Sequence, residues 1–464
     1  MTNLKPLVLK PEQQEAVDKI LTEPSMAALI ASEMGTGKTL VAAEVIKGIK
    51  PQKPVLIVAP LSTFIGWERT IARQGIDIPV RRIAAGKQYA GAYEDIVAGI
   101  PGIYLIGHAM FRRKEWRKVL LSVLVYDEVH DVSNRKSLGH RKLTQTKALW
   151  KIAMSGTPAG NRFPGMWAVT RWLWPKVVDR SFWRWAAEYS NVEFDPYSGK
   201  KAVGERHEGK FVSTLPCYIR TKASLTAQYV EEVRYVELTA SQRKIYAQME
   251  ENMLMMLQGG LTVASISVVQ RSRLRQVTLG VPYVKGQKWA TRMVKGEKEK
   301  VLVDDIDFED DCKSSKIDAL KEILSENEGE NFLILLDSAR FARVVKQRLG
   351  DSARLWSGDT PQEEREHLLD TFGKEFPVLV ATIPSIGTGT DGLQHVCNNV
   401  VWLSRSEHGL LNKQSVARLM RTGQDKDVRS WDIQAADTYD SGIFQNLELQ
   451  ALMMGQSLDG PQEA

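Results

Sequence analysis

Cysteine is scarce in this chain: Cys217, Cys312 and Cys397 are the three among 464 residues. Their spacing offers neither a disulfide framework nor a paired metal motif, so packing is their expected role. Seven histidines are present, none in a metal spacing such as HExxH. Long apolar runs are also lacking. The longest, residues 119–126, is strand-sized, against the roughly 18 residues a membrane helix needs. The opening MTNLKPLVLKPEQQ has no apolar core of the secretory kind. Neither a tandem repeat nor a low-complexity tail is visible. These absences predict an intracellular, cytoplasmic chain that engages no membrane. With 43% hydrophobic and 25% charged residues, the composition excludes a mainly disordered, collagen-like or coiled-coil protein. The length is a prior for about two to four domains.

The net charge of +6 conceals an imbalance: residues 1–222 carry +14 and residues 223–464 carry −8. A basic first half suits a partner made of phosphates, because Lys and Arg displace condensed counterions there. Solvated surface charge accounts for the same numbers equally well.

Residues 1–220 alternate short β-rich runs with helical stretches. VLIVAP (55–60), IYLIGH (103–108), VLVYDE (123–128) and KIAMSGTP (151–158) read as buried parallel strands. That alternation predicts a doubly wound sheet with function at the carboxyl ends of its strands. Trp167, Trp172, Trp174, Trp183 and Trp185 are expected to be mostly core packing. The Met residues at 249, 253, 255 and 256 have the same expected role. TASQRKIYAQMEENMLMML reads as helix, and the acidic DDIDFEDD (304–311) as a solvated loop. From Lys313 the α/β pattern resumes, with NFLILLD, ARLWSG, PVLVAT and NVVWLS as strands. The expectation is two α/β lobes with a helical insertion between them.

SEMGTGKT, residues 32–39, follows an apolar run and precedes a helical one. Glycines there let backbone N–H groups wrap phosphate oxygens at a helix N-terminus. Lys38 would reach the β- and γ-phosphates, and the Thr39 hydroxyl would bind Mg²⁺. The strict pattern has Gly where this chain has Ser32. YDEVH, residues 126–130, follows an apolar strand. Adjacent carboxylates at a strand end are costly without a cation. Asp127 would hold the same Mg²⁺ and Glu128 would polarise or orient the attacking water. In QSVARLMRTGQ, residues 414–424, Arg418 and Arg421 are three apart. On a helix they would share one face and could stabilise a transferring phosphoryl group.

The ordered set resembles superfamily-2 helicases, and most closely the Swi/Snf-type ATPases. LKPEQQEAV (9–17) resembles the adenine-reading segment, with Gln13 as the matching glutamine. SEMGTGKT resembles motif I, APLSTFIGW (59–67) motif Ia, and IGHAMFRR (106–113) the next nucleic-acid-facing block. DEVHDVSN (127–134) resembles motif II with a trailing asparagine, and SGTPAGN (155–161) motif III. RLRQVTLG (273–280) and SSKIDALKEIL (314–324) resemble the Leu-Arg-Gln block and the lead-in to the second lobe. LILLDSARFARVVKQRL (333–349), SIGTGTDGLQ (385–394) and QSVARLMRTGQ resemble motifs IV, V and VI. Val129 in motif II and Asp391 in motif V depart from the usual residues.

The resemblance spans roughly residues 9 to 440. It implies two RecA-like lobes, residues 1–222 and 313–455, with an insertion at 223–312 and a tail at 456–464. ATP and Mg²⁺ would be held by Gln13, Met34, Gly35, Thr36, Gly37, Lys38, Thr39, Asp127, Gly389 and Asp391. Arg418 and Arg421 would complete the site from lobe 2, and cleft closure would drive movement along double-stranded DNA. Ser62, Thr63, Arg112, Arg113, Arg135 and Lys136 are candidate backbone contacts, with little sequence preference expected. His130 would couple nucleotide state to the lobes. The chain is expected to act as a monomer, and its lack of larger accessory modules suits a bacterial or phage motor. Two other readings stay open: a strand-separating DNA or RNA helicase, and a catalytically inactive nucleic-acid clamp.

Overall fold

A computed structural model describes residues 6–160, 162–195, 199–223, 227–258, 272–294, 297–387, 392–421 and 423–440. They fall into two compact units, unit 1 up to residue 223 and unit 2 from residue 227.

Unit 1 is built on a parallel sheet of β1 (Ala27–Ile30), β2 (Val55–Ala59), β3 (Val80–Ile83), β4 (Ile103–Gly107), β5 (Leu120–Asp127), β6 (Lys147–Met154) and a later short strand. A hairpin of β7 (Ser190–Asp195) and β8 (Gly199–Glu205) precedes that last strand, β9 (Tyr218–Ile219). The sheet order is β3-β4-β2-β5-β6-β1-β9, and every pairing is parallel. β1, β2 and β4 are buried at every residue, as helices on both faces of a parallel sheet require. Trp172, Trp174 and Trp185 are buried, and Trp185 stacks with Phe163 at 5.5 Å, whereas Trp183 is exposed.

Unit 2 holds β10 (Tyr229–Val236), an antiparallel pair β11 (Pro282–Val294) and β12 (Glu297–Phe308), then β13 (Phe332–Leu336), β14 (Ala353–Trp356), β15 (Val378–Thr382), β16 (Asn399–Trp402) and β17 (Val428–Ala435). Its parallel sheet runs β10-β17-β16-β13-β15-β14. Phe332, Ile334 and Leu336 enter one apolar cluster while Leu333 and Leu335 enter another. A strand with two buried faces therefore reads as an unbroken apolar run.

Two expectations change. Residues 223–312 contain the helix Ala240–Gln258, but also β10, which pairs with β17 in the main sheet, and the β11–β12 pair. Asp304–Phe308 ends β12 instead of forming a solvated loop. Arg340 binds Asp305 at 2.8 Å, Phe308 meets Phe341 with ring centroids 5.0 Å apart, and Arg273 donates to the Asp304 carbonyl. Residues 309–311 lie beyond the strand as an exposed turn, as expected for the rest of the acidic run.

Candidate nucleotide-binding site

The buried β1 delivers the chain into residues 31–37, and helix α2 (Lys38–Ile49) starts immediately afterwards. Gly35 and Gly37 have φ of +79° and +82°, a region open to glycine at little cost. Gly37 caps α2, and its carbonyl accepts from Leu40 N and Val41 N at 2.9 and 3.1 Å. The first N–H groups of a helix lack intrahelical partners and carry the positive end of its dipole, a setting for anions. Lys38 Nζ donates to the carbonyls of Ser32 and Glu33 at 3.0 and 2.9 Å. Thr36 Oγ1 donates to Glu33 O at 2.7 Å. Met34 and Thr39 are half-buried on the same loop and first helical turn.

Helix α1 (Pro11–Thr22) brings Gln13 onto this loop. Its Oε1 accepts from Lys10 N at 2.8 Å and its Nε2 donates to Thr36 O at 2.8 Å. The glutamine of the opening segment and the glycine loop thus form one structure.

At the carboxyl end of β5, Asp127 is buried. It accepts from Glu128 N at 3.0 Å and Trp67 Nε1 at 3.4 Å. Burial, reinforced by Glu128 and opposed by Lys38, pushes its carboxyl up to about 7. Glu128 sits at φ +54°, a conformation costing a non-glycine residue about 1–3 kcal/mol and often found at functional sites. Its Oε2 accepts from Ser155 Oγ at 3.2 Å and lies 3.1 Å from His130 Nδ1. His130 Nδ1 is also 3.1 Å from Ser155 Oγ. The acidic pair after β5 is thereby tied to the SGTP segment after β6. His108 Nε2 lies 2.9 Å from the Asp127 carbonyl and its ring stacks on Tyr126 at 5.3 Å. Burial holds that imidazole below its usual pKa, and its Nε2–H donates to the carbonyl.

The chemistry of the donors suits Mg²⁺. Thr39 and Asp127 offer hard oxygen ligands, and the negative charge of buried Asp127 beside half-buried Glu128 is what a divalent cation would relieve. Mg²⁺ commonly takes one or two carboxylates and fills its shell from phosphates and water.

The candidate nucleic-acid residues all follow carboxyl ends of neighbouring strands β2, β4 and β5. Ser62 and Thr63 form a 3-10 turn after β2, where Thr63 Oγ1 donates to Pro60 O at 2.8 Å. Arg113 and Lys136 are exposed. Arg112 instead makes an ion pair with Asp131, and Arg135 lies over the Phe182 ring at 4.2 Å.

In unit 2 the helix expected to carry both arginines, Gly409–Val416, ends before them. Arg418 and Arg421 occupy the turns that follow, so a shared helical face does not relate them. Arg418 Nη2 donates to Gly387 O, which links motif VI to the start of motif V. Gly389 and Asp391 lie outside the described residues.

Three contributors escaped the sequence reading as site residues. Trp67, Ser155 and Arg220 reach the site through folding alone, with Arg220 Nη1 donating to Ala31 O at 2.7 Å across 189 positions. Trp67 and Ser155 did fall inside recognised segments, whereas Arg220 had no motif to mark it.

A model of the SNF2-related domain matches residues 12–279, and one of the helicase conserved C-terminal domain matches residues 315–423. The mouse SWI/SNF-related matrix-associated actin-dependent regulator of chromatin subfamily A member 1 is 22% identical over 457 residues, covering 92% of this chain and 41% of its own. The ATP-dependent helicase FUN30 of Saccharomyces cerevisiae is 23% identical over 532 residues, with 95% and 46% covered. This chain spans less than half the length of either relative. A solved structure titled "Sulfolobus solfataricus SWI2/SNF2 ATPase core in complex with dsDNA" has a TM-score of 0.41 at 18% identity, over 97% of this chain and 93% of that one.

Proposed function

The chain belongs to the SNF2-related family of superfamily-2 helicase-type ATPases, and on that premise we propose that it is a DNA-stimulated, Mg²⁺-dependent ATPase that moves along double-stranded DNA. The observation that carries the reading is the glycine loop after β1, with Lys38 held at its base by Ser32 O and Glu33 O at 3.0 and 2.9 Å, in the same parallel sheet whose β5 ends in Asp127 and Glu128. In this reading the loop N–H groups and Lys38 hold the phosphates while Thr39 and Asp127 hold Mg²⁺, which would neutralise phosphate charge. Glu128, held by Ser155 and His130, orients the attacking water. Arg418 and Arg421 stabilise charge on the transferring phosphoryl group. Gln13, Gly389 and Asp391 complete the nucleotide contacts.

Ser62, Thr63, Arg113 and Lys136 are proposed to grip the DNA backbone, with weak sequence preference and strong salt dependence following from phosphate contacts. Arg112, paired with Asp131, and Arg135, resting over the Phe182 ring, are proposed to reach the same backbone. Lys38→Ala tests the site: ATP turnover should vanish, and undiminished hydrolysis would refute the assigned loop.

A further inference from the structure

Residues 217–223 run beside β1 and then beside the phosphate loop. Leu29 N and Ala31 N donate to Cys217 O and Ile219 O at 3.0 and 2.8 Å, which is the β1–β9 pairing. The ladder continues past the strand, with Glu33 N donating to Thr221 O at 2.9 Å. Thr221 N donates to Ser32 Oγ at 3.1 Å, and Ala223 N to Glu33 Oε2 at 3.0 Å. Arg220 closes this seam. Its Nη1 donates to Ala31 O at 2.7 Å and lies 3.5 Å from Gly156 O, while its Nη2 is 3.6 Å from Glu33 Oε1. The Arg220 side chain is only 14% exposed.

The same two loop residues anchor the nucleotide-binding amine, because Lys38 Nζ donates to Ser32 O and Glu33 O. Gly156 directly follows Ser155, the partner of Glu128. One guanidinium therefore touches the root of the phosphate loop and the turn beside the water-orienting carboxylate.

We propose that Arg220 and Glu33 act together as positioning residues for the phosphate loop, fixing the Ser32–Glu33 backbone from which Lys38 and the loop N–H groups are aimed at ATP. This rests on the ATPase reading above. The planar fork of arginine suits the task, since it reaches a carbonyl and a carboxylate at once. Lysine presents a single point charge in its place.

Arg220→Ala, Arg220→Lys, Glu33→Gln and the double variant Arg220→Ala/Glu33→Gln test it in the full chain. Steady-state ATP hydrolysis and binding of a fluorescent ATP analogue are the readouts, with circular dichroism to establish folding. Arg220→Ala should raise KM for ATP and weaken analogue binding by about tenfold or more, with a smaller change in kcat. Arg220→Lys should recover only part of that loss. The double variant should be little worse than Arg220→Ala, because partners in one contact are not additive. If Arg220→Ala does not fold, Glu33→Gln carries the test through the same rise in KM. Wild-type KM in the folded variants, or losses that simply add, would overturn the proposal while leaving the ATPase reading intact. A wild-type chain that neither binds nor hydrolyses ATP would overturn both.

Discussion

Ser155 donates its hydroxyl to Glu128 Oε2 across 3.2 Å, joining the ends of two neighbouring strands at the carboxylate proposed to orient water. The same hydroxyl accepts from Thr157 N at 3.1 Å, so its direction is fixed by its own turn. Ser155→Ala should lower kcat by about tenfold or more, with KM for ATP little changed, because the contact serves an orienting group and not ground-state binding. Steady-state hydrolysis at saturating ATP, with KM from the full titration, checks this. An unchanged rate would remove Ser155 from the machinery.

Gly37 and Gln13 are so close that a Cβ at residue 37 would stand 2.4 Å from Gln13 Nε2. Gly37 is also held at φ +82°, which strains any residue with a side chain. Gly37→Ala should weaken ATP-analogue binding by about tenfold or more. Gln13→Ala alone should also weaken binding, since it removes a proposed nucleotide contact and the bond to Thr36 O, and the double variant should bind no better than either single variant. Fluorescence titration of the single and double variants measures both effects.

Asp131 sits among Arg112, Tyr126 and His108. Burial pushes its carboxyl up, but His108, the Arg112 ion pair and the Tyr126 hydroxyl at 2.9 Å outweigh this and hold it below the usual carboxylate value. A depressed folded-state pKa gives stability that is present above the unfolded value, about 3.9, and lost as pH falls through the folded one. Wild type should therefore exceed Asp131→Asn in urea midpoint at pH 6, with the gap narrowing below about pH 4. A gap independent of pH would contradict the assignment.

What could be read from the sequence follows a physical division. β13, β15 and β16 have both faces buried in apolar clusters, so their sequences are unbroken apolar runs. β17 was missed because it carries Ser430, Asp432 and Gln434 into the interior, where Arg405 pairs with Asp432 at 3.0 Å and Gln434 donates to it at 3.1 Å. Such polarity is tolerable only with partners that the sequence does not reveal. The same holds at the site. Lys38, Thr39, Asp127 and Glu128 stood out because phosphate chemistry demands them in short segments. Arg220 did not, since its contacts to Ala31 and Gly156 span 189 and 64 positions. The helix expected beneath Arg418 and Arg421 failed at its end: it stops at Val416, a boundary that a three-residue spacing cannot locate.

On the proposed function, duplex DNA stimulates ATP hydrolysis by this chain. Steady-state hydrolysis should be measured with no nucleic acid, with single-stranded DNA, with duplex DNA and with RNA, using Glu128→Gln as control. The account predicts low basal turnover, strong stimulation by duplex DNA, loss of that stimulation as salt rises, and no turnover in Glu128→Gln. Stimulation mainly by single strands or RNA would contradict duplex translocation, and no hydrolysis under any condition would contradict the motor itself.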